Sequence, residues 1–456
     1  MASKKATKRK LFGTDGIRGR ANEYPMTSEV AMALGRAVAH QAKKGTHRQR
    51  IVIGKDTRIS GYMLEMALAS GVCSMGADAL LVGTLPTPAV AFLTQSMRAD
   101  AGIMISASHN SYEDNGIKIF ARDGYKLPDE TELELEALIK GDMLGTHRPP
   151  DDGVGKCYRL EDSLGRYIVH LKTAFPTGLD LDGLKVVIDC ANGAGYRVAP
   201  LVAQELGATV LPIGVAPNGR NINGNCGALH TAGLSAAVRE NKADIGLALD
   251  GDADRLVVVD NLGHVVNGDC LLALGAHSLQ QTGMLQKGTM VATVMSNLAL
   301  EKSAKEFGVC VVRTQVGDRY VVELMRRNDY NYGGEQSGHV VYTDHATTGD
   351  GMVAALKLLA MLAREKTPLS ELQTILKPFP QVLVNIGVNR KPPLTELTGV
   401  QSTIQRIENE LGADGRVMVR YSGTEHKLRI LVEGPDTRAI EAWAGEIAEE
   451  VKLATG

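Results

Sequence analysis

The period of apolar and polar positions changes several times along the 456-residue chain, and the changes divide it into units. TSEVAMALGRAVAHQAKKG, residues 27–45, places Val30, Leu34, Ala37, Val38 and Gln41 near helical spacing. Thr27 and Ser28 are cap candidates and Gly45 is the stop. RIVIGKD, a helical run over 62–74, ADALLVG and AGIMIS then alternate strand, helix and strand, which predicts parallel pairing through right-handed crossovers.

The cycle restarts at LKVVIDCANGAG, with ATVLPIG and DIGLALD as later strands separated by helical runs at 197–206 and 233–241. It restarts again at TMVATVMSN, followed by a helix over 298–307 and the strand VCVVRTQ. After Lys377 the order becomes QVLVNIGV, a helix over 394–411, RVMVRYS, KLRILVEG and a closing helix from Thr437. A single core stops growing at roughly 250 to 300 residues, so several domains are required. The expected fold class is α/β: three similar mixed-sheet α/β domains plus a C-terminal α+β domain, divided at 1–155, 156–256, 257–372 and 373–456.

Composition acts mainly by exclusion. Lys and Arg number 50 against 52 Asp and Glu, and the net charge of −2 supplies no field to recruit nucleic acid or an anionic membrane. Aromatic residues make up 4% with one Trp, too few for a base-stacking platform. MASKKATKRK is the local exception; its basic residues from Lys4 to Lys10 read as a solvated tail, with a nucleic-acid arm as the alternative. LFGTDG follows that tail where a secretory signal would need an apolar stretch, and no window reaches about 18 uninterrupted apolar residues. A cytoplasmic protein is expected. Cys73, Cys157, Cys190, Cys226, Cys270 and Cys310 form no CxxC, so buried thiols are expected rather than a zinc site or disulfide framework.

Asp250, Asp252 and Asp254 alternate in LDGDADRL between two strand-like runs, and three carboxylates on a turn opened by Gly251 can converge on one hard cation. The alternative is a solvated acidic turn. An EF-hand would need Gly and Glu where Arg255 and Asn261 stand. The set leaves coordination places open, and a phosphate oxygen in one of them suits Mg²⁺.

ISASHNSYEDNG offers Ser108 as nucleophile, cap or carrier of a transferred group. A Ser-His-Asp hydrolase would set the serine in GxSxG, and SASHN has neither glycine. GGEQSGH places Glu335 and Ser337 two apart between glycines, suited to vicinal sugar hydroxyls or to a plain turn. RYSGTEHKLR can form an anion nest with Arg420 and Arg429, or an ordinary hairpin turn. FGTDGIRGR adds Arg18 and Arg20. ANGAG lacks the third small residue of a dinucleotide loop, since position 198 is Val, and no phosphate-binding GxxxxGK[ST] loop occurs, so neither NAD nor ATP is expected.

With these loops in this order, the chain resembles the α-D-phosphohexomutase superfamily and, within it, most the bacterial phosphoglucosamine mutases. The shared motifs are LFGTDGIRG, ISASHN, NINGNCGALH, DGDADR, VGDRY, GEQSGH, TTGDG and RYSGTE, spread over nearly the whole chain. The resemblance implies four domains around a central cleft, Ser108 as a phosphoserine required for activity, and Mg²⁺ held by Asp250, Asp252, Asp254 and the Ser108 phosphate. It further implies that Arg18, His109, Lys118 and Arg255 surround the reacting phosphoryl group and that Glu335 and Ser337 hold sugar hydroxyls. Arg420, Ser422, Gly423, Thr424 and Arg429 would hold the other phosphate. Lys118, which would need a lowered pKa, is the first candidate for general base and His109 the second.

The implied reaction interconverts glucosamine 6-phosphate and glucosamine 1-phosphate through a 1,6-bisphosphate, supplying UDP-N-acetylglucosamine and cell-wall synthesis. The partners implied are small sugar phosphates, with no nucleic acid and no membrane; a homodimer is one of the assemblies left open. Two positions depart from the usual pattern: Ser111 and His426 stand where many members have Pro. Rival readings are a mutase for glucose or mannose phosphates, a non-catalytic sugar-phosphate sensor, and a metal-dependent phosphatase.

Overall fold

Apolar runs buried on both faces make the central strands of this protein. The computed structural model describes residues 11–455 apart from 14, 44, 142–144, 146 and 422–425; the basic tail lies outside them. In the first sheet, β2 (Arg50–Lys55) pairs in parallel with β3 (Asp78–Thr84) and β4 (Ala101–Ile105), and β5 (Asp114–Ala121) returns antiparallel to β4. β1 (Ile17–Arg20) and β6 (Cys157–Arg159) extend its two edges. Every residue of β4 is buried, as a parallel strand covered by helices on both faces requires.

The second sheet repeats the plan. β7 (Lys185–Asp189) lies parallel to β8 (Thr209–Ile213) and β9 (Ile245–Leu249), with β10 (Leu256–Val259) antiparallel on β9. So does the third: β11 (Thr289–Thr293) lies parallel to β12 (Cys310–Thr314) and β13 (Tyr332–Gly334), with β14 (Val340–Tyr342) antiparallel on β13. One four-strand unit therefore occurs three times. Its single tight antiparallel connection carries SASHN in the first copy, DGDADR in the second and EQSGH in the third.

A separate compact unit combines 296–308 with 375–456. Its sheet is β15 (Gln381–Gly387), β16 (Arg416–Tyr421) and β17 (Lys427–Glu433), all antiparallel in the order β15-β17-β16. Ile430, Val432, Ile407, Ile440 and Ile447 form its core with the helices Thr398–Leu411 and Thr437–Thr455. The helix Ala299–Glu306 belongs to this unit, joined through Leu298 N, which donates to Glu433 Oε2 at 3.1 Å.

The first expected helix is Ser28–Gln41, capped by Thr27 Oγ1 on Val30 N. The helix expected over 394–411 is broken. After Pro392 and Pro393 come a single turn at Leu394–Glu396, then Leu397 with ψ 75°, then the helix Thr398–Leu411. Leu397 gives up helical geometry to enter the domain core. The cysteine expectation also needs correction: Cys190 and Cys270 are buried, but Cys157 and Cys310 are exposed. These two lie on β6 and β12, edge strands of their sheets.

Candidate active site

The serine turn is organised around a buried cation. Arg58 is 0% exposed, and its Nε donates to Asp56 Oδ2 at 2.8 Å. One terminal nitrogen donates to Ser108 O at 3.0 Å and Asn110 O at 2.9 Å; the other donates to Asp114 O at 3.1 Å and to Ser111 O. Ser106 Oγ donates to Asp56 Oδ2 and accepts from Ser108 N. These bonds hold Ser108 at φ 53°, a left-handed conformation that costs a non-glycine residue roughly 1 to 3 kcal/mol. Ser111 has no proline ring to stiffen it, and Arg58 fixes its carbonyl instead.

The acidic turn from the second domain faces this serine. Ser108 Oγ donates to Asp250 Oδ2 at 2.6 Å. Ligand oxygens of Asp250, Asp252 and Asp254 lie within 4.8 Å of one another, and all three side chains are buried. Burial and the charges of Asp254 and Asp252 push the Asp250 carboxyl well above the ordinary range. Buried oxygens Asp252 Oδ1 and Asp254 Oδ1 have no hydrogen-bond partner. Three converging carboxylates with acceptor oxygens to spare fit a hard divalent cation.

Lys118, 1% exposed on β5, donates to Asp252 Oδ2 at 2.9 Å and Asp254 Oδ2 at 3.2 Å, with Asp15 Oδ2 3.3 Å away. Burial alone would lower its pKa, but the charges of Asp15, Asp252 and Asp254 outweigh that and hold the ammonium well above its ordinary range. The lowered pKa that a general base here requires is therefore not met. His109 Nδ1 stands 3.4 Å from Ser108 Oγ. Burial and the Arg255 and Arg18 charges lower its pKa to about 4, leaving a neutral imidazole at pH 7.

Arg18 pairs with Asp15 at 2.5 Å, while Arg255 approaches Asp254 Oδ1 only to 4.0 Å. The Nε of each arginine is buried without a hydrogen-bond partner, so two cationic donors remain unspent beside the serine and acidic turns. Sequence reasoning missed the ion network behind them, in which Lys126 bridges Asp15 and Asp318. Asp15 and Asp318 carry a signal, since they lie in LFGTDGIRG and VGDRY; Lys126 has none. His339 was missed as well. Its Nε2 accepts from Gly349 N at 3.1 Å, and its Nδ1 lies 3.8 Å from Asp254 Oδ1.

Glu335 is half-buried on the third domain's turn, where Oε1 accepts from Gly317 N at 2.9 Å and its charge acts on Arg255. Ser337 is exposed on the same turn, which Gly338 N closes onto Glu335 O. In the C-terminal unit, Arg420 and Arg429 are direct cross-strand partners on β16 and β17. Burial and the Arg429 charge lower the pKa of Arg420. His426 O accepts from Val388 N at 3.0 Å. Ser422, Gly423 and Thr424 lie outside the described residues.

Four domain families match in order: phosphoglucomutase/phosphomannomutase alpha/beta/alpha domain I at residues 9–144, domain II at 165–263, domain III at 267–379 and the C-terminal domain at 383–450. The phosphoglucosamine mutase of Anaeromyxobacter sp. (strain Fw109-5) is 56% identical over 452 residues, covering 98% of this chain and 96% of that protein. That of Myxococcus xanthus (strain DK1622) is 56% identical over 445 residues, covering 98% and 97%. Among solved structures, a phosphoglucomutase/phosphomannomutase family protein from Burkholderia thailandensis superposes with a TM-score of 0.82 at 22% identity, covering 97% of each chain. Aspergillus fumigatus N-acetylphosphoglucosamine mutase in complex with GlcNAc-6P and magnesium gives 0.69 at 18%, covering 98% of this chain and 96% of that one. The four matched domains and the full-length identity show that the chain belongs to the phosphoglucosamine mutases of the phosphoglucomutase/phosphomannomutase family.

Proposed function

We infer that this chain interconverts glucosamine 6-phosphate and glucosamine 1-phosphate, carrying the phosphoryl group on Ser108. The substrate reading draws on relatives named phosphoglucosamine mutase that match 98% of the chain. One observation carries the mechanism: Ser108 Oγ lies 2.6 Å from the first of three buried, converging carboxylates.

In the forward direction phosphorylated Ser108 transfers its group to O1 of glucosamine 6-phosphate. The P–Oγ bond breaks, a P–O1 bond forms, and the O1 proton leaves. The resulting 1,6-bisphosphate turns around, and Ser108 Oγ gives up its proton and attacks the 6-phosphoryl group; the P–O6 bond breaks, O6 takes up a proton, and glucosamine 1-phosphate is released with the phosphoserine restored. The imidazole of His109, neutral at pH 7, has a lone pair free to take a proton, whereas Lys118, held charged, is suited to neutralising phosphoryl oxygens together with Arg18 and Arg255. Asp250, Asp252, Asp254 and the Ser108 phosphate would hold Mg²⁺, which when bound supplies further positive charge to the transferring group.

Glu335 and Ser337 are assigned to sugar hydroxyls. Arg420, Ser422, Gly423, Thr424 and Arg429 are assigned to the phosphate that is not reacting. Arg420 and Arg429 stand as cross-strand partners at the base of that loop, which supports the assignment. The four-domain division at 155, 256 and 372 accompanies this reading, with β6 lent to the first sheet by the second segment. Supply of UDP-N-acetylglucosamine for the cell wall, in the cytoplasm, is the proposed setting. Among the described residues, no helix is long and apolar enough to cross a membrane.

The test is a competition: Ser108-phosphorylated protein with Mg²⁺ is offered equimolar glucosamine, glucose and mannose 6-phosphates and followed by ³¹P NMR. Predominant glucosamine 1-phosphate is expected. Preference for glucose or mannose would reassign the substrate, and absence of every 1-phosphate would overturn the mutase reading.

A further inference from the structure

We propose that Asn223, on the NINGN loop of the second α/β domain, is a positioning residue that fixes the Ser108 turn against the acidic turn. The proposal rests on the mutase reading, since it assigns Asn223 to the alignment of the phosphoryl carrier. Asn223 Nδ2 donates to Ser108 O and to Asn110 O, each at 2.9 Å. These oxygens belong to the first domain, so one amide from the second domain spans the serine turn. The amide is itself fixed: Asn223 sits at φ 57°, a conformation asparagine tolerates, and its N donates to Ala191 O at 2.9 Å.

The acidic turn is shaped to admit this tie. A Cβ on Gly251 would lie 2.5 Å from Ser108 O and 2.8 Å from Asn223 Nδ2. Gly251 stands between Asp250, which accepts from Ser108 Oγ, and Asp252. In the unphosphorylated protein the second domain thus holds both ends of Ser108, the side chain through Asp250 and the backbone carbonyl through Asn223, and the carbonyl hold does not require the hydroxyl proton. In-line transfer depends on where that side chain stands relative to the three carboxylates.

Fold and alignment can be separated here. Arg58 donates to the same two carbonyls from within the first domain, so removing the Asn223 amide orphans neither of them. What it removes is the second domain's hold on the backbone of the serine turn. Substituting Arg58 would instead leave buried Asp56 without its cation and is uninformative.

The experiment compares parent, Asn223→Ala and Asn223→Asp, loaded at Ser108 with glucose 1,6-bisphosphate. It measures kcat and KM for glucosamine 6-phosphate, thermal midpoint, and the ³¹P shift of the phosphoserine. Asn223→Ala should lower kcat about 100-fold with KM within about threefold, and should move the ³¹P signal. Asn223→Asp should lose at least as much, because its carboxylate faces two carbonyl oxygens. Parent-like kcat with an unmoved signal, or a loss that tracks only the fraction unfolded, would overturn the proposal. If the parent takes up the phosphoryl group but does not isomerise hexosamine phosphates, the mutase reading fails; the tie is then judged by whether the variants load Ser108 more slowly. A parent that never takes up the group overturns both.

Discussion

The serine turn and the acidic turn occupy the same place in two copies of one four-strand unit, yet they are satisfied in opposite ways. Between β4 and β5, Arg58 saturates its hydrogen-bonding capacity on one carboxylate and four carbonyls, so the backbone is pinned and only the Ser108 side chain is left to act. Between β9 and β10, three carboxylates are crowded together and two of their oxygens have no hydrogen bond. A fully paired buried charge marks structure, whereas a surplus of one sign marks a place where charge is to be received. The repeat decides where chemistry can sit, and the turn residues decide which chemistry it is.

The harshest break is Ser108→Ala. It should remove at least about 10⁴-fold of isomerase activity and all phosphoryl uptake while leaving the fold intact, by mass spectrometry and circular dichroism. On the other turn, Asp252→Asn should cost about 10³-fold in kcat, and chelating divalent cations should depress the parent towards the same level with little further effect on the variant. Gly251→Ala joins the two turns sterically, because its Cβ would meet Ser108 O at 2.5 Å. A fall of about 10- to 100-fold in kcat, with about 1 to 3 kcal/mol lost in urea unfolding, is expected.

The third copy sharpens the contrast more gently. Glu335→Gln should raise KM for glucosamine 6-phosphate about tenfold with kcat within about threefold, as expected for a contact made before and during transfer. The smallest effect concerns Asp350, which braces two turns through its neighbours: Gly351 N donates to Ala253 O and Gly349 N to His339 Nε2. Burial pushes the Asp350 carboxyl up to about 6. A raised carboxyl contributes stability that is present below about pH 4 and lost as pH rises through its folded pKa. Between pH 7 and 5 the parent should therefore gain about 1 kcal/mol relative to Asp350→Asn, measured by urea unfolding at each pH.

Much of this was legible locally. The restarting strand, helix, strand cycle predicted three α/β units, and alternating Asp in DGDADR and Ser-His in SASHN marked the loops that the fold brings together. Arg58 was not legible: KDTRIS looks like the end of a strand, and the carbonyls that occupy its guanidinium lie 50 to 56 residues away. The raised pKa of Lys118 was equally out of reach, since Asp252 and Asp254 lie 134 and 136 residues further along the chain. The break at Leu397 escaped because the demands of the core outweighed a helical pattern. Periodicity reports local structure, and these features are set by pairings between distant segments.

The most direct measurement follows one phosphorus atom. Protein labelled with ³²P on Ser108 is mixed with unlabelled glucosamine 6-phosphate and Mg²⁺ and quenched within a single turnover. Label should leave the protein for glucosamine 1,6-bisphosphate and then appear in the sugar monophosphates. Label that stays on Ser108, or departs only as inorganic phosphate, would contradict phosphoryl carriage between the two turns.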